Sequence, residues 1–455
     1  MNHDMGSIKK RIDVISMGCS KNLVESERLI RQLESKGYEV FFDSDNPHGA
    51  YTVVNTCGFI SDAKEESINV ILELCRLKEE GKIGKIAVMG CLSQRYLETL
   101  KEEIPEVDLW FGKFDWPSLV ESLDDIEENE PVASMSFQTI KKKPKLWERT
   151  LTTPPHSAYL KISEGCNRFC AFCAIPAITG RHKSRPVEEI LEEVKDLVGK
   201  GVKEFNVIAQ DLSAYGTDLY GKSRLAELIE RMAKVQGVEW IRLHYAYPAD
   251  FPKDVLEVMA KYDNVCNYLD IALQHIADPV LKNMRRHITK EQTLGLLKEI
   301  REKVPGIRLR TTLMTGFPGE GEEEFEELLE FVRTQRFDRM GAFTYCEEED
   351  TYAAKNFEDK IPEEIKKSRL DRIMSLQQDI AQELNEQLAG TVQKVIIDRI
   401  EDKIAYGRTQ YDSPEVDPEV IIRLEEKNLG KLKAGEFANV RIKEAYPFEL
   451  VGELE

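Results

Sequence analysis

No apolar run in this chain approaches the roughly 20 residues that a membrane-spanning helix needs. The opening "MNHDMGSIKKRIDVISMG" also lacks the apolar centre of a secretory signal. Both absences point to the cytoplasm, where thiols stay reduced; nine cysteines there are metal ligands or buried apolar residues rather than disulfides. No period of solenoid length recurs, no glycine loop of phosphate-binding type is found, and no Ser–His–Asp arrangement offers a nucleophile. A basic excess is missing too: 63 Lys and Arg stand against 82 Asp and Glu, a formal net charge of -19. Such a chain is a poor general binder of phosphate backbones and suits a basic partner better. Nucleic-acid contact is therefore not the primary expectation, although "KKKPKLWERTLTTPP" is a local basic stretch.

What is present fills 455 residues, 42% of them hydrophobic, enough for about three domains. From residue 11 to about 120, the Val/Ile-rich runs "RIDVISMG", "YEVFF", "AYTVVNTCGF", "GKIAVMGC" and "VDLWFG" alternate with helical patterns. Continuous apolar strands separated by helices predict a doubly wound parallel sheet, an α/β domain over 8–125. Residues 126–155 turn acidic, then basic and proline-containing, and read as a linker. Six further strands, "AYLKIS", "EFNVIA", "WIRLHY", "YLDIAL", "IRLRTTLM" and "MGAFTY", again alternate with helices. Six units are too few for a complete eight-fold barrel, so a partial (βα)6 barrel is expected over 156–388. After Gly390 the period changes to two, and about five short strands predict a small antiparallel, OB-like β-barrel over 389–455.

Two groups of cysteines carry the chemistry. In "SEGCNRFCAFCAIP", Cys166, Cys170 and Cys173 follow the first barrel strand, on the face where barrel enzymes act. Three thiolates fall one short of a closed zinc site, unless a distant residue such as His182 supplies a fourth ligand. They suit a 4Fe–4S cluster with one iron left open to a substrate or cofactor. The second trio is spread over 73 residues: Cys19, Cys57 and Cys91 each come directly after a parallel strand. In a doubly wound sheet all strand C-termini open on one edge, so the three can converge. Each could instead be a small buried hydrophobe. Cys75, Cys266 and Cys346 are expected to be buried.

The CxxxCxxC spacing, with Phe172 just before its last cysteine, resembles the radical S-adenosylmethionine superfamily. The resemblance implies that the open iron chelates S-adenosylmethionine and that one electron cleaves it to a 5′-deoxyadenosyl radical. "VIAQDLSAYG" and "GFPGE" resemble that family's segments near the cofactor, which makes Phe172, Gln210 and Arg310 candidate S-adenosylmethionine contacts. Gln210 and Arg310 could equally be satisfied polar residues of a barrel rim. The strand-end trio together with the rest of the chain is similar to the methylthiotransferase family. That likeness implies an auxiliary 4Fe–4S cluster on Cys19, Cys57 and Cys91 that carries the sulfur, a C-terminal TRAM domain, and S-adenosylmethionine used as both methyl donor and radical source.

Members of that family modify an adenosine of transfer RNA or an aspartate of a ribosomal protein. The C-terminal module holds ten Lys and Arg against fourteen Asp and Glu, net -4, where an RNA grip should be basic. "GCSKNLVESE", "NTCGFISDAKEESI" and "RTQYDSPEVDPEV" resemble the branch acting on ribosomal protein aspartate, with Ser20 a departure from its usual residue. The expectation is a monomeric enzyme that adds a methylthio group to an aspartate β-carbon of small-subunit ribosomal protein number twelve. The basic target would dock on the acidic TRAM domain by charge complementarity. The alternatives are a transfer-RNA methylthiotransferase and a non-catalytic, metal-bound RNA-binding or scaffold protein.

Overall fold

The five Val/Ile-rich runs form β1 (Arg11–Ser16), β2 (Glu39–Phe42), β3 (Tyr51–Thr56), β4 (Lys85–Gly90) and β5 (Leu109–Trp110). All pair in parallel, in the order β2-β1-β3-β4-β5. Helices α1 (Ser20–Ser35), α2 (Ser61–Glu79), α3 (Cys91–Glu103) and α4 (Trp116–Glu128) follow β1, β3, β4 and β5. Alternate strand residues feed two separate cores, because side chains in a strand point to opposite faces. Val14, Val53 and Met89 meet Leu29 of α1 and Leu119 of α4 on one face. On the other, Val54 and Val88 meet Ile71 of α2 and Leu92 of α3, with Cys75 buried among them. This is the doubly wound sheet that the alternation predicts.

The computed structural model describes residues 11–128, 144–425, 430 and 432–455. Two compact units emerge: one contains the chain up to Thr152 plus Ala174–Gly180, the other Thr153–Cys173 and everything from Arg181. Of the stretch read as a linker, α4 takes the acidic part up to Glu128, and the run "KKK" lies outside the described residues. The chain from 144 to 152 is fixed to α1 at several points, one of them a buried carboxylate. Glu27 pairs with Arg149 at 2.7 Å, and the backbone N–H of Thr152 donates to it at 2.9 Å.

In the second unit β6 (Ser157–Lys161) leads through a short antiparallel ribbon, β7 (Ser163–Glu164) with β8 (Lys183–Ser184), to β9 (Glu204–Ile208). Then come β10 (Trp240–Ala246), β11 (Val265–Ile271), β12 (Arg308–Thr315) and β13 (Arg339–Thr344). The sheet order is β13-β12-β11-β10-β9-β6, all parallel, with β6 and β13 at its open edges. Cys266 is buried in this sheet as expected; Cys346 is not, because it follows the edge strand β13, which has a neighbour on one side only.

The last five strands, β14 (Val392–Glu401), β15 (Ile404–Thr409), β16 (Glu419–Arg423), β17 (Phe437–Ala445) and β18 (Glu449–Leu454), close into a barrel. Val395, Ile397, Val420, Ile422, Val440 and Ile442 fill it. Four of its pairings are antiparallel and β16–β18 is parallel, so the module is not antiparallel throughout.

This small barrel sits on the N-terminal ends of the six parallel strands. Ile396 and Phe437 pack against Trp240, Cys266 and Tyr268. Glu204, the first residue of β9, takes Arg408 at 2.7 Å and is also paired with Arg242. Arg408 reaches Asp398 at 2.7 Å, Arg339 meets Asp412 at 2.7 Å, and Tyr268 donates to Asp417 at 2.9 Å. Burial pushes the Glu204 carboxyl up, but the two guanidinium groups outweigh it and hold the acid well below the ordinary carboxylate range. No described helix is long and apolar enough to cross a membrane.

Candidate metal centres

The first trio stands on three neighbouring strand ends. Cys19 caps the start of α1 just beyond β1, Cys57 follows β3 directly, and Cys91 is the first residue of α3 after β4. The sheet order reverses between β1 and β3, the switch point at which such folds bind ligands. Two glycines let the turns close. A side chain at Gly18 (φ +87) would lie 2.8 Å from Cys57 Cβ, and one at Gly90 (φ +110) would strike the Thr56 backbone at 2.5 Å. Ala174 and Ile178 pack on Cys91.

One side chain joins these strand ends. Asn22 in α1 donates to the carbonyls of Met17 at 3.1 Å and Thr56 at 2.9 Å. Its Oδ1 accepts from Lys113 Nζ at 2.7 Å and from the Cys91 thiol at 3.5 Å. Lys113, buried in the loop after β5, also donates to Cys91 Sγ at 3.5 Å. Cys19 is surface-accessible, and desolvation still raises its thiol. The ammonium groups of Lys21 and Lys113 and nearby amides outweigh that and leave it below the usual cysteine range. Burial raises Cys57, and the neighbouring Cys91 and Cys19 add to the effect against an amide from Phe59. Cys57 thus feels the other two sulfurs, and Lys113 acts on all three.

The second trio lies in a loop closed at its base by the β7–β8 ribbon, at the C-terminal end of β6. Phe169 is bent into a left-handed conformation (φ 49) between Cys166 and Cys170. The Ala171 N–H donates to Met284 O at 2.9 Å, and Ala353 N–H to Ala171 O at 2.7 Å, which ties the loop to the barrel. Burial pushes the Cys166 thiol up to about 11, although the Arg168 N–H donates to it at 3.4 Å. Arg168 is anchored in turn by Asp211 at 2.6 Å. Cys170 and Cys173 share an apolar wall with Tyr247, Ala249 and Phe172, and Arg286 Nη1 donates to Cys170 Sγ at 3.2 Å.

Of the candidate cofactor contacts, Phe172 lies beside the cysteines, its ring edge-on to Phe317 of "GFPGE" at 6.2 Å. Gln210 follows β9 at the same end of the sheet as the loop, next to Asp211. Arg310 is not brought to the cysteines: near the start of β12 it faces Asp270 and Asp417, each at 3.5 Å, toward the small barrel. Those two carboxylates give it an alternative partner to any cofactor. His182 is held through its Nε2, by Ser184 Oγ at 3.0 Å with Asp218 at 3.6 Å, which gives that nitrogen a protein partner other than a metal.

The donor set fits iron–sulfur chemistry. Thiolates are the soft ligands such clusters use. Among the described residues no three His, Cys, Asp or Glu side chains form a group that could hold a single metal ion. A cubane spreads its thiolates one per iron, wider than a tetrahedral zinc site does. Each trio also has a buried cation bonded to one sulfur, the counter-charge that a cluster of bound thiolates needs. Lys113, Asn22 and Arg286 escape the sequence reading. Only Lys113 leaves a trace, since it follows the fifth strand much as the cysteines follow theirs.

Three family models match stretches of this chain. Residues 160–332 match the Radical SAM superfamily, 11–112 the Uncharacterized protein family UPF0004, and 389–454 the TRAM domain. The ribosomal protein uS12 methylthiotransferase RimO of Bacteroides fragilis is 58% identical over 446 residues, 98% of this chain and 99% of its own. That of Phocaeicola vulgatus is 59% identical over 97% of this chain and 98% of its own, and that of Christiangramia forsetii 49% over 98% and 94%. Among solved structures, the radical S-adenosylmethionine methyltransferase TsrM from Kitasatospora setae, with tryptophan and a cofactor analogue bound, superposes with a TM-score of 0.56 at 15% identity. The overlap covers 85% of this chain and 78% of that one, a likeness of fold.

Proposed function

The chain belongs to the RimO family of ribosomal protein uS12 methylthiotransferases, and from that membership we propose where its chemistry sits. It is a radical S-adenosylmethionine enzyme that works with a 4Fe–4S cluster and acts on ribosomal protein uS12. In our reading Cys166, Cys170 and Cys173 hold the radical-generating cluster, and Cys19, Cys57 and Cys91 hold a second, auxiliary one. When bound, these groups supply an electron that cleaves S-adenosylmethionine to a carbon radical, and the sulfur to be delivered to an aspartate β-carbon. The chain's own residues hold, orient and exclude. The Phe172 ring, Tyr247 and Ala249 keep water from the Cys170 side, and Gln210, which follows β9 at the same end of the sheet, would meet the cofactor. Asn22 and Lys113 fix the auxiliary edge. No acid or base is needed at the target carbon, because a radical removes a hydrogen atom rather than a proton.

The observation that carries this reading is the arrangement of three cysteines, not four, at the ends of adjoining parallel strands, together with a second incomplete trio in a barrel loop of the other unit. We place the enzyme in the cytoplasm as a monomer, with the basic target meeting the TRAM surface. Anaerobic reconstitution is expected to load about eight irons per chain, and about four when either trio is replaced by alanine. Incubation with uS12, S-adenosylmethionine, sulfide and a reductant, read by intact mass, is expected to add one methylthio group in place of one hydrogen. A full iron load with unmodified uS12 and methylthiolated transfer RNA would reject the substrate.

A further inference from the structure

Arg286 is 3% exposed, yet no carboxylate pairs with it among the described residues. A buried cation without a counter-charge is strongly unfavourable, so something negative belongs beside it. Its Nη1 donates to Cys170 Sγ at 3.2 Å, its Nη2 donates to Ala272 O, and its Nε is buried with no acceptor. The guanidinium lies 4.1 Å from the centroid of the Tyr247 ring, and Tyr247 Oη donates back to the Arg286 carbonyl at 2.8 Å. On either side of it the backbone is strained: Arg285 (φ 57) and His287 (φ 54) are both left-handed without being glycine. Such residues cost about 1–2 kcal/mol each, and they persist where the surroundings impose them. A neutral thiol is too weak an acceptor to justify two strained residues and an unpaired charge. A thiolate bound to iron, one of three around an anionic cluster, justifies both.

We propose that Arg286 is a positioning residue of the radical-generating cluster: it holds the Cys170 sulfur by a charge-assisted N–H···S bond and raises the cluster's reduction potential. The inference rests on the assignment of Cys166, Cys170 and Cys173 to that cluster. Hydrogen bonds and positive charge at ligand sulfurs favour the reduced, more negative cluster. The Nε is the donor still to be met, and a second sulfur of the cluster is the acceptor of the right kind.

The test uses the full chain with Cys19, Cys57 and Cys91 replaced by alanine, so that one cluster remains, reconstituted anaerobically and titrated with EPR detection. With Arg286 intact, about four irons bind. In Arg286→Met the iron content holds and the reduced-to-oxidised ratio at the parent's midpoint falls about tenfold, or about 59 mV for a one-electron couple. Arg286→Lys, which keeps the charge and loses the planar fork, falls between. An Arg286→Met cluster with full iron and the parent's midpoint overturns the proposal. If that variant fails to hold iron, Arg286→Lys decides: a smaller shift in the same direction supports the proposal, while the parent's midpoint overturns it. A parent that binds no iron refutes the cluster assignment itself, and the inference with it.

Discussion

Asn22 bonds to groups at four strand ends: the Met17 and Thr56 carbonyls, the Cys91 thiol and the Lys113 ammonium. Asn22→Ala leaves the buried Met17 and Thr56 carbonyls without this donor, at about 1–3 kcal/mol for each, and takes one partner from Lys113 and Cys91. The expected outcome is earlier unfolding of the first unit in denaturant and loss of iron from the strand-end trio, with the iron on the barrel-loop trio retained. Equal loss from both trios would contradict this. The cysteines were legible in the sequence because type and position coincide: a thiol directly after a strand falls on a known edge. Asn22, Lys113 and Arg286 were not. Their partners are 91 and 116 residues away, and only the folded sheet brings Lys113 to Asn22 or Arg286 to Cys170.

Elements were read well where one period ran undisturbed, and poorly where composition hid it. All five strands of the first sheet and all six of the second lie where the Val/Ile runs placed them. The end of α4 was obscured because the acidic residues from 126 on suggested a linker, although the helical spacing of Leu119, Val120 and Leu123 runs toward them. The parallel β16–β18 pairing was beyond reach, since a period of two gives the same pattern in either direction. Turn geometry offers a sharper test. Gly90→Ala combines a positive φ with a Cβ 2.5 Å from backbone, and is expected to cost about 4 kcal/mol or more of the first unit's stability. Gly81→Ala has a positive φ (+71) but nothing within 4 Å, and is expected to cost only about 1–2 kcal/mol. Denaturant midpoints of the two variants measure the difference; equal losses would refute the steric account.

At the scale of the whole molecule, the three folds were legible but the seat of the small barrel was not, because it depends on ion pairs such as Glu204–Arg408, 204 residues apart. Arg408→Met leaves Glu204 and Asp398 short of a buried cation and is expected to cost about 3–5 kcal/mol, part of it recovered in the double variant with Glu204→Gln. Glu204 binds protons less readily folded than unfolded, so its contribution is complete above the unfolded value of about 4.3 and drains away as pH falls below it. The stability gap between parent and Glu204→Gln should be full at neutral pH and narrow in acid; a gap independent of pH would argue against the pairing. The same seat turns three of the module's fourteen carboxylates, Asp398, Asp412 and Asp417, inward to the larger sheet, which leaves its outer face less acidic than the composition suggests. It also puts the module at the opposite end of the strands from Cys166, Cys170 and Cys173. Eight residues of β12 measure about 26 Å, so a target touching both ends must bridge at least that distance. A long protruding hairpin or tail meets that requirement most simply. Reach, as much as charge, would then decide which polypeptides this enzyme accepts.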